Sequence, residues 1–193
     1  MTPRIVLASG SPRRARILGT LGVSFDVHVT DADESLLPGE EGGAAAERLA
    51  RAKAAAAPAS ELPILAADTI VLRDGVVYGK PTSAADAVRM LGELQGRAHE
   101  VATGVCLRLG SALHSGVERT RVTLAPMSLA EREWYVATEE PMDKAGAYNV
   151  DGLGALFVAE VAGSPSNVAG LPVRLVRSLA REAGLDLGLG FSS

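Results

Sequence analysis

Read for the spacing of apolar and polar positions, the chain opens on a short apolar run at residues 4–9, RIVLAS, of the kind that makes a buried strand. A tight Ser9-Gly10-Ser11 turn follows, with Ser11 placed to cap a helix beginning at Pro12, whose missing N–H costs nothing at the first helical position. Ala15, Ile17, Leu18 and Leu21 give that helix an inward face, and Gly22 gives it a stop. Residues 24–30, SFDVHVT, alternate as a strand does, and an acidic stretch, DADESLLPGEE, comes next. The alanine-rich residues 44–57 have strong helix propensity, and Pro58 and Pro63 bracket a loop. The run PILAADTIVL reads as a central strand with VVYGK as its hairpin partner, joined through Asp74-Gly75. A capped helix, from Ser83 with Asp86 three residues on, ends at Gly96. Two long strand patterns, HEVATGVCLRLG and ALHSGVERTRVTLAP, pair antiparallel through Gly110-Ser111. Ser128 and Glu131 open another helix as a capping box. A glycine-rich irregular stretch, EEPMDKAGAYNVDGLG, leads to a strand at ALFVAEV and a last helix over residues 171–183, with a tail expected to fray.

This order of elements predicts an α/β fold with a mixed sheet. There is no internal repeat and no linker long enough to separate independent domains, so residues 1–193 read as one domain. Aromatic residues make up only 4%, which leaves the core to Ala, Leu and Val. The formal net charge of −4 argues against a general nucleic-acid binder, which needs a broad basic surface, but leaves room for one local anion site. The single cysteine, Cys106, excludes an intrachain disulfide and a cysteine-based zinc site, and its strand setting reads as a small buried thiol. The apolar run at the start is too short for a signal peptide and no segment approaches a membrane span. The expectation is a cytoplasmic protein.

Several polar residues break the pattern. Asp68 stands in ILAADTIV, where a buried carboxylate costs several kcal/mol unless it is paired, hydrogen-bonded or metal-bound; capping a strand end is the plainer alternative. Lys53 shares a helix face with Leu49, Lys80 lies between a strand and a capped helix, and Glu34 belongs to the acidic loop; each alone reads as a solvated charge. His28, His99 and His114 are scattered without ligand spacing and read as structural or surface residues. As a set the charged groups point to a polyphosphate. Backbone N–H groups at a Ser-Gly-Ser turn before a helix suit a phosphate, and Arg13 and Arg14 can grip its oxygens. Lys53 and Lys80 add charge, while Asp68 and Glu34 are hard oxygen ligands of the kind that hold Mg²⁺ or Mn²⁺ beside phosphates. With a carboxylate able to take a proton from water, this is the equipment of a phosphoanhydride hydrolase.

SGSPRR, AADTIV, GKP, EPMDKAGAYNVDGLG and NVAGLP, in this order and at these separations, resemble the Maf family of nucleoside triphosphate pyrophosphatases, from Arg4 to about Leu179. The resemblance implies an inosine-triphosphatase-like fold: an elongated molecule with a bent mixed sheet and a deep cleft between two lobes. It implies cleavage between the α and β phosphates, a divalent cation and a homodimer. It assigns proton acceptance to Asp68, which is also a metal ligand candidate with Glu34. It links Arg13, Thr69 and, by position, Asp151 to substrate choice; Ser9, Ser11, Arg14, Lys53 and Lys80 complete the expected substrate contacts. The DKAGAY half matches members that prefer dTTP and UTP, which carry Gln where this chain has Asp151. An ionised Asp only accepts hydrogen bonds, which suits the N3–H of uracil or thymine or a guanine-type edge. On the DKAGAY half of the motif, the resemblance implies dTTP or UTP as the substrate, although an acidic residue at the position of Asp151 is what the 7-methyl-GTP branch carries. The alternatives are 7-methyl-GTP or another noncanonical purine nucleotide, and a nucleotide-binding regulator of septum formation.

Overall fold

A computed structural model describes residues 4–187. Strand β1 (Arg4–Leu7) passes through helix α1 (Pro12–Thr20) into β2 (Ser24–Val27), and helix α2 (Gly42–Ala56) precedes the long β3 (Ile64–Arg73). The short β4 (Val76–Tyr78) and helix α3 (Ala84–Leu94) lead to two long strands, β5 (Ala98–Leu109) and β6 (Ala112–Leu124). Helix α4 (Leu129–Ala137) is followed by 3₁₀ turns at Glu140–Asp143, Ala145–Ala147 and Leu153–Phe157, then by β7 (Val158–Ala162), α5 (Pro165–Val168) and α6 (Val173–Glu182). The strands form one mixed sheet in the order β2-β1-β3-β5-β6-β7, with β4 paired to β3 off that path. β1 runs parallel to β2 and β3, each reached through a helix, and all other pairs are antiparallel.

The two hairpins follow turn chemistry. Asp74 and Gly75 both have positive φ (51° and 78°), the arrangement that matches the right-handed twist of the flanking strands. Gly110 (φ 56°) takes the first place of the β5–β6 turn, where a side chain would be strained.

Alternation along β3 and β5 splits the core between two faces. Leu65, Ala67, Val105 and Leu107 pack with Leu18 of α1 and with Val176 and Leu179 of α6. Further along that face, Val71 and Val101 join Leu91 and Leu94 of α3 and Tyr135 of α4. The opposite face, with Ala66, Ile64 and Cys106, is covered by Ala50 and Ala54 of α2. There the helix comes so close that a Cβ at Gly104 would overlap the Ala46 backbone.

The same register opens a gap. On one side β3 pairs with β1 only at Ile64 and Leu65, and with β4 only from Val71 to Arg73. On its other side β3 is paired without interruption to β5 from Ile64 to Leu72. Residues 66–70 therefore lie on a firmly held strand whose outer edge has no strand neighbour among the described residues, at the point where the chain leaves β1 for α1. Strand ends of this kind are where α/β sheets bind ligands.

Some elements differ from expectation. β2 stops at Val27, before the last three residues of the alternating pattern. α2 starts two residues early because Glu41, not an alanine, caps it by accepting from the Gly43 and Ala44 N–H groups. The run before Val158 is a 3₁₀ turn rather than strand, since Glu140 takes the Leu153 and Gly154 N–H groups out of any ladder. The short α5 lay unmarked in the pattern, too brief for helical periodicity to register. The last residues of the expected tail, 188–193, fall outside the described residues.

Candidate active site

A cleft of about 540 Å³ lies at the unpaired edge of β3, walled by the β1–α1 turn, α2, the β4–α3 connection, the DKAGAY segment and the turn after α5. Its lining carries five cationic side chains, Arg13, Arg14, Lys53, Lys80 and Lys144, against three carboxylates, Glu34, Asp68 and Asp143. The cleft is thus net positive on a chain whose formal charge is −4. An anion entering it gains both field and partners.

Strand alternation distributes the chemistry. Asp68 points to the α2 face and Thr69 to the α1 face, as consecutive strand residues must. Asp68 is 7% exposed and accepts from Lys53 Nζ at 2.5 Å, and Lys53 is itself 9% exposed. The same ammonium lies 3.0 Å from Glu34 Oε1. A lysine that reads as solvated on its helix is therefore buried between two carboxylates, and Asp68 is a paired strand carboxylate rather than a turn cap. On the other face Thr69 Oγ1 accepts from Arg14 Nη2 at 3.1 Å and bonds Thr103 Oγ1 at 3.0 Å.

Arg14 is the more deeply held of the two arginines. At 9% exposure it donates to Ser9 Oγ (2.9 Å), Thr69 Oγ1 and the Gly170 carbonyl (2.8 Å), all neutral acceptors. Burial pushes its guanidinium pKa down, opposed by the charge of Asp68. Arg13 points elsewhere, as the ~100° between successive helical residues requires. Its Nη1 donates to Asn149 Oδ1 at 3.2 Å, and burial lowers its pKa against the pull of Asp143 and Asp151. Ser9 and Ser11 both line the cleft, but Ser11 occupies the N-cap of α1 without a side-chain capping bond. Its N–H instead donates to Ser9 Oγ at 3.2 Å, so Ser9 gathers both this turn and Arg14.

Lys80 lines the cleft from the loop after β4. Asp151 does not join the others: its carboxylate pairs with Arg16 Nη2 at 3.0 Å on the outer side of α1 and is absent from the cleft wall. Asp143, Lys144, Tyr148 and Gly170 stand in the wall although no spacing singled them out individually; their only signal was membership of the DKAGAY and NVAGLP runs. His99 is buried, its Nε2 bonded to the Tyr148 hydroxyl at 2.8 Å, and burial lowers its pKa to about 4. His99 therefore supports the cleft wall from behind. Burial likewise pushes the Cys106 thiol up to about 11, which suits a packing residue.

Among the described residues no group of three or more His, Cys, Asp or Glu side chains could hold a metal ion. Asp68 and Glu34 nevertheless converge on one cationic position, that of Lys53 Nζ. Two carboxylates with room beside them fit a hard divalent cation that takes its remaining ligands from water and substrate phosphates.

Comparison with known proteins finds a family match along most of the sequence. Residues 4–183 match the family described as Maf-like protein. The chain is 51% identical over 192 residues to the dTTP/UTP pyrophosphatase of Anaeromyxobacter dehalogenans (strain 2CP-C), covering 97% of each. It is 46% identical to the protein of that name from Chromobacterium violaceum (95% of this chain, 96% of the relative) and 41% identical to that of Symbiobacterium thermophilum (97% of each). Among solved structures, the Staphylococcus aureus Ham1 protein is similar over 62% of this chain and 69% of its own, with TM-score 0.43 and 18% identity. A family match over nearly all described residues, with relatives that align end to end, makes this chain a member of the Maf-like protein family.

Proposed function

We propose that the cleft hydrolyses dTTP and UTP to the nucleoside monophosphate and pyrophosphate, in the house-cleaning of the nucleotide pool. The observation that carries this reading is the pair of buried groups on either face of β3: Lys53–Asp68 on one, Arg14 with only neutral acceptors on the other. A buried guanidinium without a bonded carboxylate is stabilised by an incoming phosphate. Asp68 takes the proton of the attacking water, Arg14 and Arg13 hold phosphate oxygens, and Lys53 and Lys80 offset their charge. Ser9 and Ser11 set the turn that approaches the phosphates, and Thr69 fixes Arg14. Asp68 and Glu34 would hold Mg²⁺ or Mn²⁺, which when bound polarises the phosphate oxygens and lowers the pKa of water. The base preference rests on the relatives' names, 41–51% identical across the chain; Asp151 supplies no argument for it from within the cleft. We take the protein to act in the cytoplasm, where its substrate is, as a homodimer; no helix of the described residues is long and apolar enough to cross a membrane.

A panel of nucleoside triphosphates at equal concentration, with Mg²⁺ or Mn²⁺ and scored for pyrophosphate release, tests the reading. dTTP and UTP should lead. Preference for 7-methyl-GTP or another purine would overturn the base assignment, and binding without pyrophosphate release would overturn the enzyme. Sedimentation of the purified protein tests the dimer.

A further inference from the structure

Arg13 reaches the cleft from the first turn of α1, a place where a long side chain has many rotamers, yet it is held by a single neutral partner, Asn149 Oδ1. An asparagine amide is a poor anchor by itself, because a flip exchanges its acceptor for a donor and would turn N–H toward the guanidinium. Here the Asp151 N–H donates to Oδ1 at 3.3 Å, and the Glu140 carboxylate lies beside the amide nitrogen, both crowding the point a Cβ of Gly152 would take. Glu140 receives Tyr135 Oη–H at 2.8 Å and the Gly154 N–H at 3.0 Å on Oε1, and the Leu153 N–H at 3.0 Å on Oε2. These three donors, with the Asn149 amide nitrogen beside them, face a group that, when ionised, only accepts. Burial works against that ionisation, but the bonds from Gly154, Leu153, Tyr135 and Asn149 outweigh it and hold the carboxyl below its usual range.

The cluster is built tightly. Tyr135 is fully buried, and its hydroxyl accepts the Asn149 N–H at 3.0 Å while donating to Glu140. A Cβ at Gly152 would collide with Glu140 Oε2, and one at Gly154 would press on the Tyr135 hydroxyl and the Asn149 backbone. The backbone of Asn149 is therefore fixed from α4 and its side chain from the 3₁₀ turn that follows, both behind the cleft wall.

We propose that Glu140 is a positioning residue: by accepting from the Asn149 amide it keeps Asn149 Oδ1 turned to Arg13, and so sets the guanidinium for the nucleotide. This rests on the reading that Arg13 contacts substrate. Glu140→Gln keeps the size but places a donor where these donors point, freeing the amide to flip. The expected result is a roughly 10-fold fall in kcat/KM for dTTP, carried by KM, the size of one charge-assisted contact. In an Arg13→Ala background the same change should cost less than about 2-fold, because groups acting through one another do not add. A merely structural role would give the same factor in both backgrounds, and that additivity, or wild-type kinetics for Glu140→Gln, would overturn the proposal.

The Arg Nε–H resonance that Arg13→Ala abolishes supplies a readout independent of turnover. It should be sharp in the wild type and broadened in Glu140→Gln; if it is unchanged, Glu140 does not position Arg13. If Arg13→Ala leaves kcat/KM intact, the substrate role of Arg13 falls, while the resonance still decides whether Glu140 orients it. Should Glu140→Gln fail to fold, Asn149→Leu cuts the same link at a half-buried position and carries both measurements.

Discussion

Asp68 and Arg14 are neighbours in the cleft that depend on different protection. Asp68 accepts from the buried Lys53, and Asp68→Asn preserves both size and one acceptor oxygen for that lysine. The expected outcome is a turnover at least about 100-fold lower, the contribution of a general base, with nucleotide affinity changed far less. A near-normal rate in steady-state kinetics would remove Asp68 from the chemistry. Arg14 depends on Gly170, whose φ of +95° and whose hypothetical Cβ at 3.3 Å from Thr69 Oγ1 leave no strain-free place for a side chain. Gly170→Ala should cost about 1–3 kcal/mol in urea unfolding and raise KM through a displaced Arg14. The sequence marked Arg13, Arg14 and Asp68 by residue type, and Thr69 through the family resemblance. It did not mark Asn149 or Gly170, because a carbonyl or amide oxygen that anchors an arginine has no spacing of its own.

At the scale of elements, α2 presents Lys53 to β3 and is fixed at both ends by arginines from the sheet. Arg119 clamps the capping carboxylate of Glu41 and holds its pKa down at about 2. Arg108 donates to the Ala55, Ala57 and Pro58 carbonyls around the other end, where helices leave acceptors unsatisfied. Between them Gly104 lets the helix backbone rest directly on β5. Gly104→Ala should push α2 off the sheet, costing about 1–3 kcal/mol as overpacking does, and draw Lys53 away from Asp68. Thermal unfolding temperature and kcat would fall together; loss of stability with kcat intact would mean that α2 does not set the pair. Helix propensity announced α2 as an element. Its seating depended on contacts between residues 51 and 78 apart in the chain, which no local pattern records.

For the whole molecule, the wall behind the cleft carries a pH liability. His99 is buried against Tyr148, with its Nδ1 lacking a hydrogen-bond partner among the described residues and Arg73 near enough to disfavour a second positive charge. Its folded pKa of about 4 lies below the ordinary 6.5, so below pH 6.5 the unfolded chain binds the proton that the folded chain refuses. The stability tied to His99 is fully present at neutral pH and is lost as pH falls from 6.5 toward 4, at up to about 1.4 kcal/mol per unit. Urea midpoints at about pH 7.5 and pH 5 should differ less in His99→Gln than in the wild type, and an equal shift would contradict this. The order of the longer α and β elements, both hairpin turns, the buried thiol and the family motifs were legible in the sequence, because turn residues, apolar periods and linear motifs act over a few neighbouring residues. The sheet register was not. Only the tertiary structure decided that β1 and β4 leave residues 66–70 uncovered, that Lys53 is buried between Asp68 and Glu34, and that Asp151 turns to Arg16 outside the cleft. Each of these depends on which distant segments meet, and the energy of a buried charge is fixed by those partners rather than by its neighbours along the chain.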